Sequence, residues 1–339
     1  MHILAIESSC DETAAAIVKD GRVILADVVS SQVAVHSPYG GVVPELASRS
    51  HVEAILPVIS QALREACMTW EEIDAVAVTQ GPGLVGALLV GMAAAKAIAY
   101  ALDKPLIAVS HLEGHMHAPF FGRGLPSEPL VCLVVSGGHT SLYCLEPDGQ
   151  SRCLGSTRDD AAGEAFDKVA KLLKLGYPGG LVIDHLAADG NPKAFDFPRS
   201  YLDKDSLDFS FSGIKTAVAN LVRRLGLTPV GDAFGAYRLK DLLASFQEAI
   251  VDVLVTKTLQ AAALYQVKDV AVVGGVAANR RLRQRLEEEA ADQGLILHLP
   301  ELRFCTDNAA MIAAAAHSIW KRSGFCLCPL DLDARSRWF

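Results

Sequence analysis

Several absences narrow the possibilities before any motif is read. No CxxC pair occurs among the eight cysteines, which stand at 10, 67, 132, 144, 153, 305, 326 and 328. Most sit in apolar or strand-like surroundings, where a thiol behaves as a small core residue. The CxC of Cys326 and Cys328 is the one candidate for a metal or redox pair. No long apolar run exists either: the charge-free stretch 81–95 ends at Lys96 and is too short and too rich in Gly and Ala to span a bilayer. No basic segment precedes an apolar one near Met1, so no export signal is expected, and reduced thiols add the expectation of a cytoplasmic location with no membrane contact. Basic residues are outnumbered, 31 against 39, for a formal net charge of −8. A chain that bound nucleic acid by bulk charge would carry the opposite excess, so a nucleic acid must meet a local patch or be recruited by partners. The GxxxxGK[ST] phosphate loop is missing, and so is the HExxH of zinc proteases.

What is present is a compact, core-forming composition: 51% hydrophobic and only 6% aromatic over 339 residues. That length suits two domains, and a faint duplication supports them. Residues 2–6 read as a buried strand, 7–13 as a polar turn, 14–18 as a second strand and 23–29 as a third. The same order returns at 130–135, 136–140, 141–145 and 151–155. A second repeated unit, strand then glycine turn then helix, occupies 73–83 and 268–275, each followed by helical spacing. Two lobes of one design imply a cleft between them. Helical periodicity also marks Val52, Ile55, Leu56, Ile59 and Leu63, where Pro57 should introduce a kink. It marks residues 242–254, and an Ala-rich segment from Thr306 to Trp320 that is apolar on all sides and so expected to be buried. The lobe boundary is placed in the Gly/Pro-rich stretch 122–129, and residues 190–212 read as an insertion loop.

Four clusters carry chemistry. Ser136-Gly137-Gly138 and Gly274-Gly275 follow strands, where backbone N–H groups can approach a phosphate or acyl oxygen without a Cβ in the way; a tight hairpin would use the same residues. His111 and His115 are four apart, which on a helix leaves their Cβ atoms roughly 5–6 Å apart and able to share a metal. Glu113 falls off that face, and Asp307 is a candidate third ligand or simply a helix-start acid. Asp11 and Glu12 sit in the turn between buried strands, where a carboxylate either serves a ligand or shapes the turn. Asp160, Glu164, Asp167 and Lys171 form a stripe that reads equally as a solvated helix face or as carboxylates reaching ligand hydroxyls. Arg49 and His51 follow the loop at Tyr39-Gly40-Gly41 and offer cations near the expected cleft.

Taken in order, these segments resemble the TsaD family of tRNA adenosine threonylcarbamoyltransferases. The resemblance is carried by Glu7-Ser8-Ser9-Cys10-Asp11-Glu12-Thr13, by the run 40–49, by Gly81-Pro82-Gly83-Leu84, and by His111-Leu112-Glu113-Gly114-His115. It continues through Val135-Ser136-Gly137-Gly138-His139-Thr140, the run 159–168, Phe209-Ser210-Phe211-Ser212-Gly213 and Cys305-Thr306-Asp307-Asn308. It implies an α/β fold, the duplicated two-lobe actin-like, Hsp70-like ATPase (ASKHA) fold with a central cleft. The first lobe would span 1–128, with the C-terminal helix and tail 305–339 packed back on it, and the second 129–304. It further implies one divalent metal, Fe2+ or Zn2+, on His111, His115 and Asp307. The donor threonylcarbamoyl-AMP would be held by Val134, Val135, Ser136, Gly137 and Gly138, and by Asp167, Gly180, Asp184 and Asn279. Asp11 and Glu12 match acidic residues linked to activity. The expected partners are tRNA and the proteins TsaB and TsaE, with helices near 46–66 and 83–101 facing TsaB, and a homodimer when the partners are absent. One position departs: Leu181 follows Tyr177-Pro178-Gly179-Gly180 where many members have Pro. Two other classes fit the same glycine turns, a kinase or ATPase of this fold and a non-catalytic nucleotide-binding scaffold.

Overall fold

The computed structural model describes residues 1–203, 205–225, 233–234, 237–324 and 331–337. Cys326 and Cys328 lie outside them. The chain divides into two units. One comprises Met1–Ser127, Glu146–Gln150 and Pro300–Phe339, the other Glu128–Leu145 and Ser151–Leu299.

The first unit opens with β1 (His2–Glu7), β2 (Glu12–Lys19) and β3 (Val23–Ser31), then α1 (Val33–His36), α2 (Pro44–Glu65), β4 (Ala75–Gly81), α3 (Val85–Ala101), β5 (Leu106–Ser110) and α4 (His111–His117). Its five-stranded sheet has the order β3-β2-β1-β4-β5. The β1–β2 and β2–β3 pairs are antiparallel hairpins, whereas β4 joins β1 and β5 in parallel register. The turn read at 7–13 is shorter than its polarity suggests: Glu7 ends β1 and Glu12 begins β2, leaving Ser8 to Asp11 as the connection. The strand read from residue 73 begins at Ala75, because Trp70–Glu72 forms a short 3-10 turn closed by a Thr69–Glu72 capping box. α2 runs through Pro57 as one helix, with the proline on its exposed side.

The second unit repeats the pattern with β6 (Leu130–Val135), β7 (Thr140–Leu145) and β8 (Ser151–Ser156). α5 (Ala162–Leu173), α6 (Gly179–Ala187), α7 (Ser212–Arg224), a short ribbon β9 (Ala233–Phe234) and β10 (Tyr237–Arg238), and α8 (Leu239–Tyr265) follow. β11 (Asp269–Val273), α9 (Arg280–Asp292) and β12 (Ile296–His298) complete a second five-stranded sheet, ordered β12-β11-β6-β7-β8. The central helix α8 is buried along most of its length, and the Phe166 and Phe246 rings meet edge to face at 5.3 Å. The segment read as an insertion is irregular and is fastened along α8. Arg199 pairs with Asp252 at 3.0 Å, and the buried Lys257 ammonium donates to the carbonyls of Ser206 (2.6 Å) and Tyr201 (3.1 Å).

The chain then returns to the first unit with α10 (Ala309–Ser323). Its residues Ala309 to His317 are all buried, as the all-round apolar pattern predicts. One face of the first sheet (Ile3, Ala5, Ala14, Ala16, Ala75, Ala77) packs against α10, the other (Leu4, Ile6, Ala15, Ile17, Val76, Val78) against α2 and α3. Alanines dominate the α10 side on both surfaces, so helix and sheet approach closely with little side-chain entropy lost. None of the described helices is long and apolar enough to cross a membrane.

Candidate metal centre and glycine turn

The histidine helix α4 leaves β5 directly: Ser110 ends the strand and His111 opens the helix. What brings it to Asp307 is Gly114. A Cβ there would meet Ile312 Cδ1 at 2.7 Å and Met311 Cγ at 3.2 Å, so the glycine lets α4 lie close on α10. Asp307 itself is not the cap of α10. Asn308 is, its side chain accepting from the Met311 N–H at 2.9 Å, and Asp27 of β3 accepts from the Ala310 N–H at 3.2 Å. Those two side chains satisfy the helix start.

Candidate ligand atoms of His111, His115 and Asp307 all lie within 4.8 Å of one another. The Nε2 atoms of both imidazoles converge on Asp307 Oδ1, at 3.5 Å from His111 and 3.2 Å from His115. Metal bonds of about 2.0–2.1 Å at tetrahedral angles leave ligand atoms about 3.3–3.4 Å apart, and the two His–Asp separations lie close to that. Both histidines are buried, with the Asp307 carboxylate 19% exposed. His117 is excluded from the group. Its Nδ1–H donates to the Glu113 carbonyl (2.8 Å) and its Nε2 accepts from Ser318 Oγ (3.1 Å), and burial pushes its pKa down to about 4.

Acidic side chains surround the cluster. Glu7, with no exposed surface, is 3.0 Å from His111 Nδ1 and accepts from Thr79 Oγ1 at 2.7 Å. Burial alone would raise its carboxyl, but the charge and hydrogen bond of His111 outweigh that and hold it below the ordinary value. For His111 burial works downward, yet Asp307 and Glu7 push it up to about 9. The carboxylates thus favour positive charge at this point, which suits a bound cation. The Glu12 carboxyl is pushed well above the usual range, first by burial and then by Asp307 and Asp11. His51 is not the cation its position suggested: it is fully buried, donates Nε2–H to the Cys10 carbonyl at 2.9 Å and accepts from Thr13 Oγ1 at 2.7 Å. Burial lowers its pKa.

The second unit gathers the other expected residues at the equivalent strand end. Val134 and Val135 are fully buried strand residues, which leaves only their backbone to serve a ligand. Beyond them Ser136 closes the turn, its N–H donating to the His139 carbonyl (2.8 Å) and its Oγ accepting from the His139 N–H (3.2 Å). Gly137 and Gly138 are exposed, with no heavy atom within 4 Å of where a Cβ would stand. Gly163 is different: its Cβ would meet the Ser136 carbonyl at 2.5 Å, so α5 can start this close to the turn only with glycine. Asp167 accepts from the Gly179 N–H at 2.7 Å, at the start of α6, beside Gly180. Asp184 pairs with Arg280 at 2.8 Å, and Asn279 caps α9 while donating to Gln247 at 2.8 Å. The acidic stripe splits. Asp160 and Glu164 form ion pairs with Lys168 (2.6 and 3.0 Å), Glu164 on the solvated side and Asp160 half-buried, while Asp167 accepts from the Gly179 N–H.

Sequence reasoning did not single out Glu7, Thr79 or Arg280. Glu7 carried a signal, a carboxylate ending an otherwise apolar strand, but it was grouped with the polar turn.

Two units on one strand plan, with a His-His-Asp group in the first and a bare glycine turn in the second, define a member of the actin-like, Hsp70-like ATPase fold class. Solved structures agree on the fold. Component A of (R)-2-hydroxyglutaryl-CoA dehydratase from Acidaminococcus fermentans covers 95% of this chain, and 98% of its own, at 18% identity and a TM-score of 0.54. HypF in its phosphate- and nucleotide-bound form covers 96% of this chain, over 47% of its own, at 14% identity and a TM-score of 0.63. The sequence model of TsaD, tRNA N6-adenosine threonylcarbamoyltransferase, matches residues 23–314. The tRNA N6-adenosine threonylcarbamoyltransferase of Syntrophobacter fumaroxidans is 68% identical over the full length of both chains. That of Moorella thermoacetica is 55% identical over 98% of this chain and 95% of its own. The chain belongs to the TsaD family of transferases.

Proposed function

We propose that this chain transfers the threonylcarbamoyl group of L-threonylcarbamoyl-AMP to N6 of adenosine 37, in tRNAs that read codons beginning with adenine, releasing AMP. The observation that carries the reading is the convergence of His111, His115 and Asp307 on one point in a chain of this family. A mixed anhydride is already activated and AMP leaves readily. The acceptor is the difficulty, because the N6 lone pair is delocalised into the adenine ring. Holding the two reactants in line is worth up to roughly 7–11 kcal/mol, and the rest must come from stabilising negative charge on the carbonyl and phosphate oxygens.

The residues divide that work. His111, His115 and Asp307 hold a divalent ion, Fe2+ or Zn2+, which when bound supplies Lewis-acid stabilisation of oxygen charge. The open turn at Gly137 and Gly138, set by Val134, Val135 and a Ser136 whose own N–H is spent on the His139 carbonyl, takes oxygens of the adenylate. Asp167 and Gly180 serve the same ligand from α5 and α6. Asp184 and Asn279 act by placing Arg280 and the first turn of α9, since their own polar atoms are committed within the fold. Asp11 or Glu12 receives the N6 proton. Burial first, and then Asp307 and Asp11, raise the Glu12 carboxyl, which favours its proton-bound form. With a net charge of −8 the chain recruits tRNA with help from TsaB and TsaE, in the cytoplasm, and forms a homodimer when they are absent.

Nucleoside mass spectrometry of bulk tRNA tests this. Depleting the protein should remove N6-threonylcarbamoyladenosine, wild type should restore it and His111→Ala should not. Modified nucleoside that persists after depletion refutes the transfer reading.

A further inference from the structure

Among the described residues, the two candidate metal-binding imidazoles are held differently. His115 Nδ1 is buried and has no hydrogen-bond partner. His111 Nδ1 faces Glu7 Oε2 at 3.0 Å, with Ser9 Oγ at 3.2 Å. Glu7 is anchored on three sides: it takes the Ser9 N–H on Oε1, and Thr79 Oγ1 and His111 on Oε2. A carboxylate with no exposed surface is costly unless every lone pair it presents meets a donor. Ionised, it can only accept, so the Nδ1 that faces it must carry the proton. That leaves His111 Nε2 without a proton in the neutral ring and aimed at Asp307.

We infer that Glu7 is a positioning residue for the metal centre: it fixes the Nδ1–H tautomer and the ring orientation of His111, so that Nε2 is presented to the cation. The inference rests on the proposed metal reading. It makes use of a charge that the transfer chemistry leaves idle: both carboxylate oxygens accept, which the single oxygen of a Gln could not do on both sides. It also explains the interlocking of this corner. Ser9 gives its N–H to Glu7 and its carbonyl to the Leu84 N–H, while Ser8 Oγ donates to the Ala87 carbonyl, so the loop before Asp11 and the start of α3 are tied to the same carboxylate. Orienting carboxylates of this kind change metal affinity by about 10–100-fold when lost.

The test compares the intact wild-type chain with Glu7→Gln and Glu7→Ala. Zn2+ affinity is measured by chelator competition, the d–d spectrum is recorded after loading Co2+, and transfer is assayed with and without excess metal. Expected are Zn2+ affinities down about 10-fold for Gln, whose single oxygen cannot accept from both the Ser9 N–H and Nδ1–H, and about 100-fold for Ala. The Co2+ band should be altered in both, and transfer should return at saturating metal. Affinities and spectra equal to wild type in cooperatively folded Glu7→Gln overturn the inference. A loss of transfer that saturating metal does not restore overturns it too. Should the variants not fold, nitrogen-15 NMR of Zn2+-loaded wild type decides: a proton on Nδ1 of His111 supports the inference, and a proton on Nε2 overturns it. Failure of wild type itself to bind Zn2+, Co2+ or Fe2+ refutes the metal reading, and Glu7's role falls with it.

Discussion

The turn between β1 and β2 and the turn between β6 and β7 occupy the same place in two copies of one strand plan, yet they are built in opposite ways. The first is crowded and charged. Ser8 and Ser9 are buried, Glu7 and Asp11 bracket them, and Gly83 of the loop before α3 sits so close that a Cβ would meet the Ser9 carbonyl at 2.6 Å. The second is open and bare, with Gly137 and Gly138 facing space. A fixed cation needs oriented side chains, each held by a further partner. An anionic ligand that brings its own oxygens needs only amides and room. On the proposed reading, the first turn suits a cation and the second an anionic ligand.

The largest break in that comparison should come from the charged side. His111→Ala removes a candidate ligand and strands Glu7, a fully buried carboxylate, without its His111 partner. Transfer should fall by at least about 100-fold, with Zn2+ content by mass spectrometry of the metal falling in step. Full metal content in this variant would show that the cluster is not the binding site. On the bare side, Gly137→Val should leave stability within about 0.5 kcal/mol, because its Cβ meets nothing. It should still raise the KM for the adenylate by roughly tenfold, the value of one lost ligand interaction of about 1.4 kcal/mol. An unchanged KM would remove the turn from the binding site. Gly163→Ala sharpens the same point from below, since it clashes with the Ser136 carbonyl. It should cost about 1–3 kcal/mol in urea unfolding, and stability equal to wild type would mean the turn is not held by α5.

Much of this was legible beforehand because it depends on local pattern. Period-two apolar runs and polar turns located both hairpins, and the all-round apolar character of 306–320 announced a buried helix before α10 showed which sheet it covers. The His-x3-His spacing gave one helix face. What spacing could not give was contact between residues 192 positions apart, such as His115 and Asp307, or that Gly114 is the reason they meet. Polar residues were least legible. Asp160 and Asp167 look alike in sequence, but one finds the half-buried Lys168 and the other the Gly179 N–H. His51 reads as a surface cation until the fold buries it between Thr13 and Cys10, where burial disfavours its charge. Glu7 reads as turn chemistry until β1 extends to include it.

The smallest effect on transfer is expected at the helix starts, where the two units again differ. Both α9 and α10 begin on an asparagine, Asn279 and Asn308, whose amide cannot titrate, but α10 also has Asp27 beside its start, a carboxyl that burial pushes up to about 6 from 3.8 despite the N–H groups of Ala310 and Ala309. A carboxyl raised in the folded state favours folding while it is protonated. Its contribution is complete below the unfolded value and is lost as pH rises through about 6, at a cost of no more than about 3 kcal/mol. Asp27→Asn keeps an acceptor for the Ala310 N–H and cannot ionise. Urea midpoints between pH 4 and 7 should therefore decline for wild type relative to the variant, with most of the divergence below pH 6, while transfer stays near the wild-type rate. Parallel midpoints across that range would mean the Asp27 carboxyl ionises in the fold at no cost, and that α10 starts on as neutral a footing as α9.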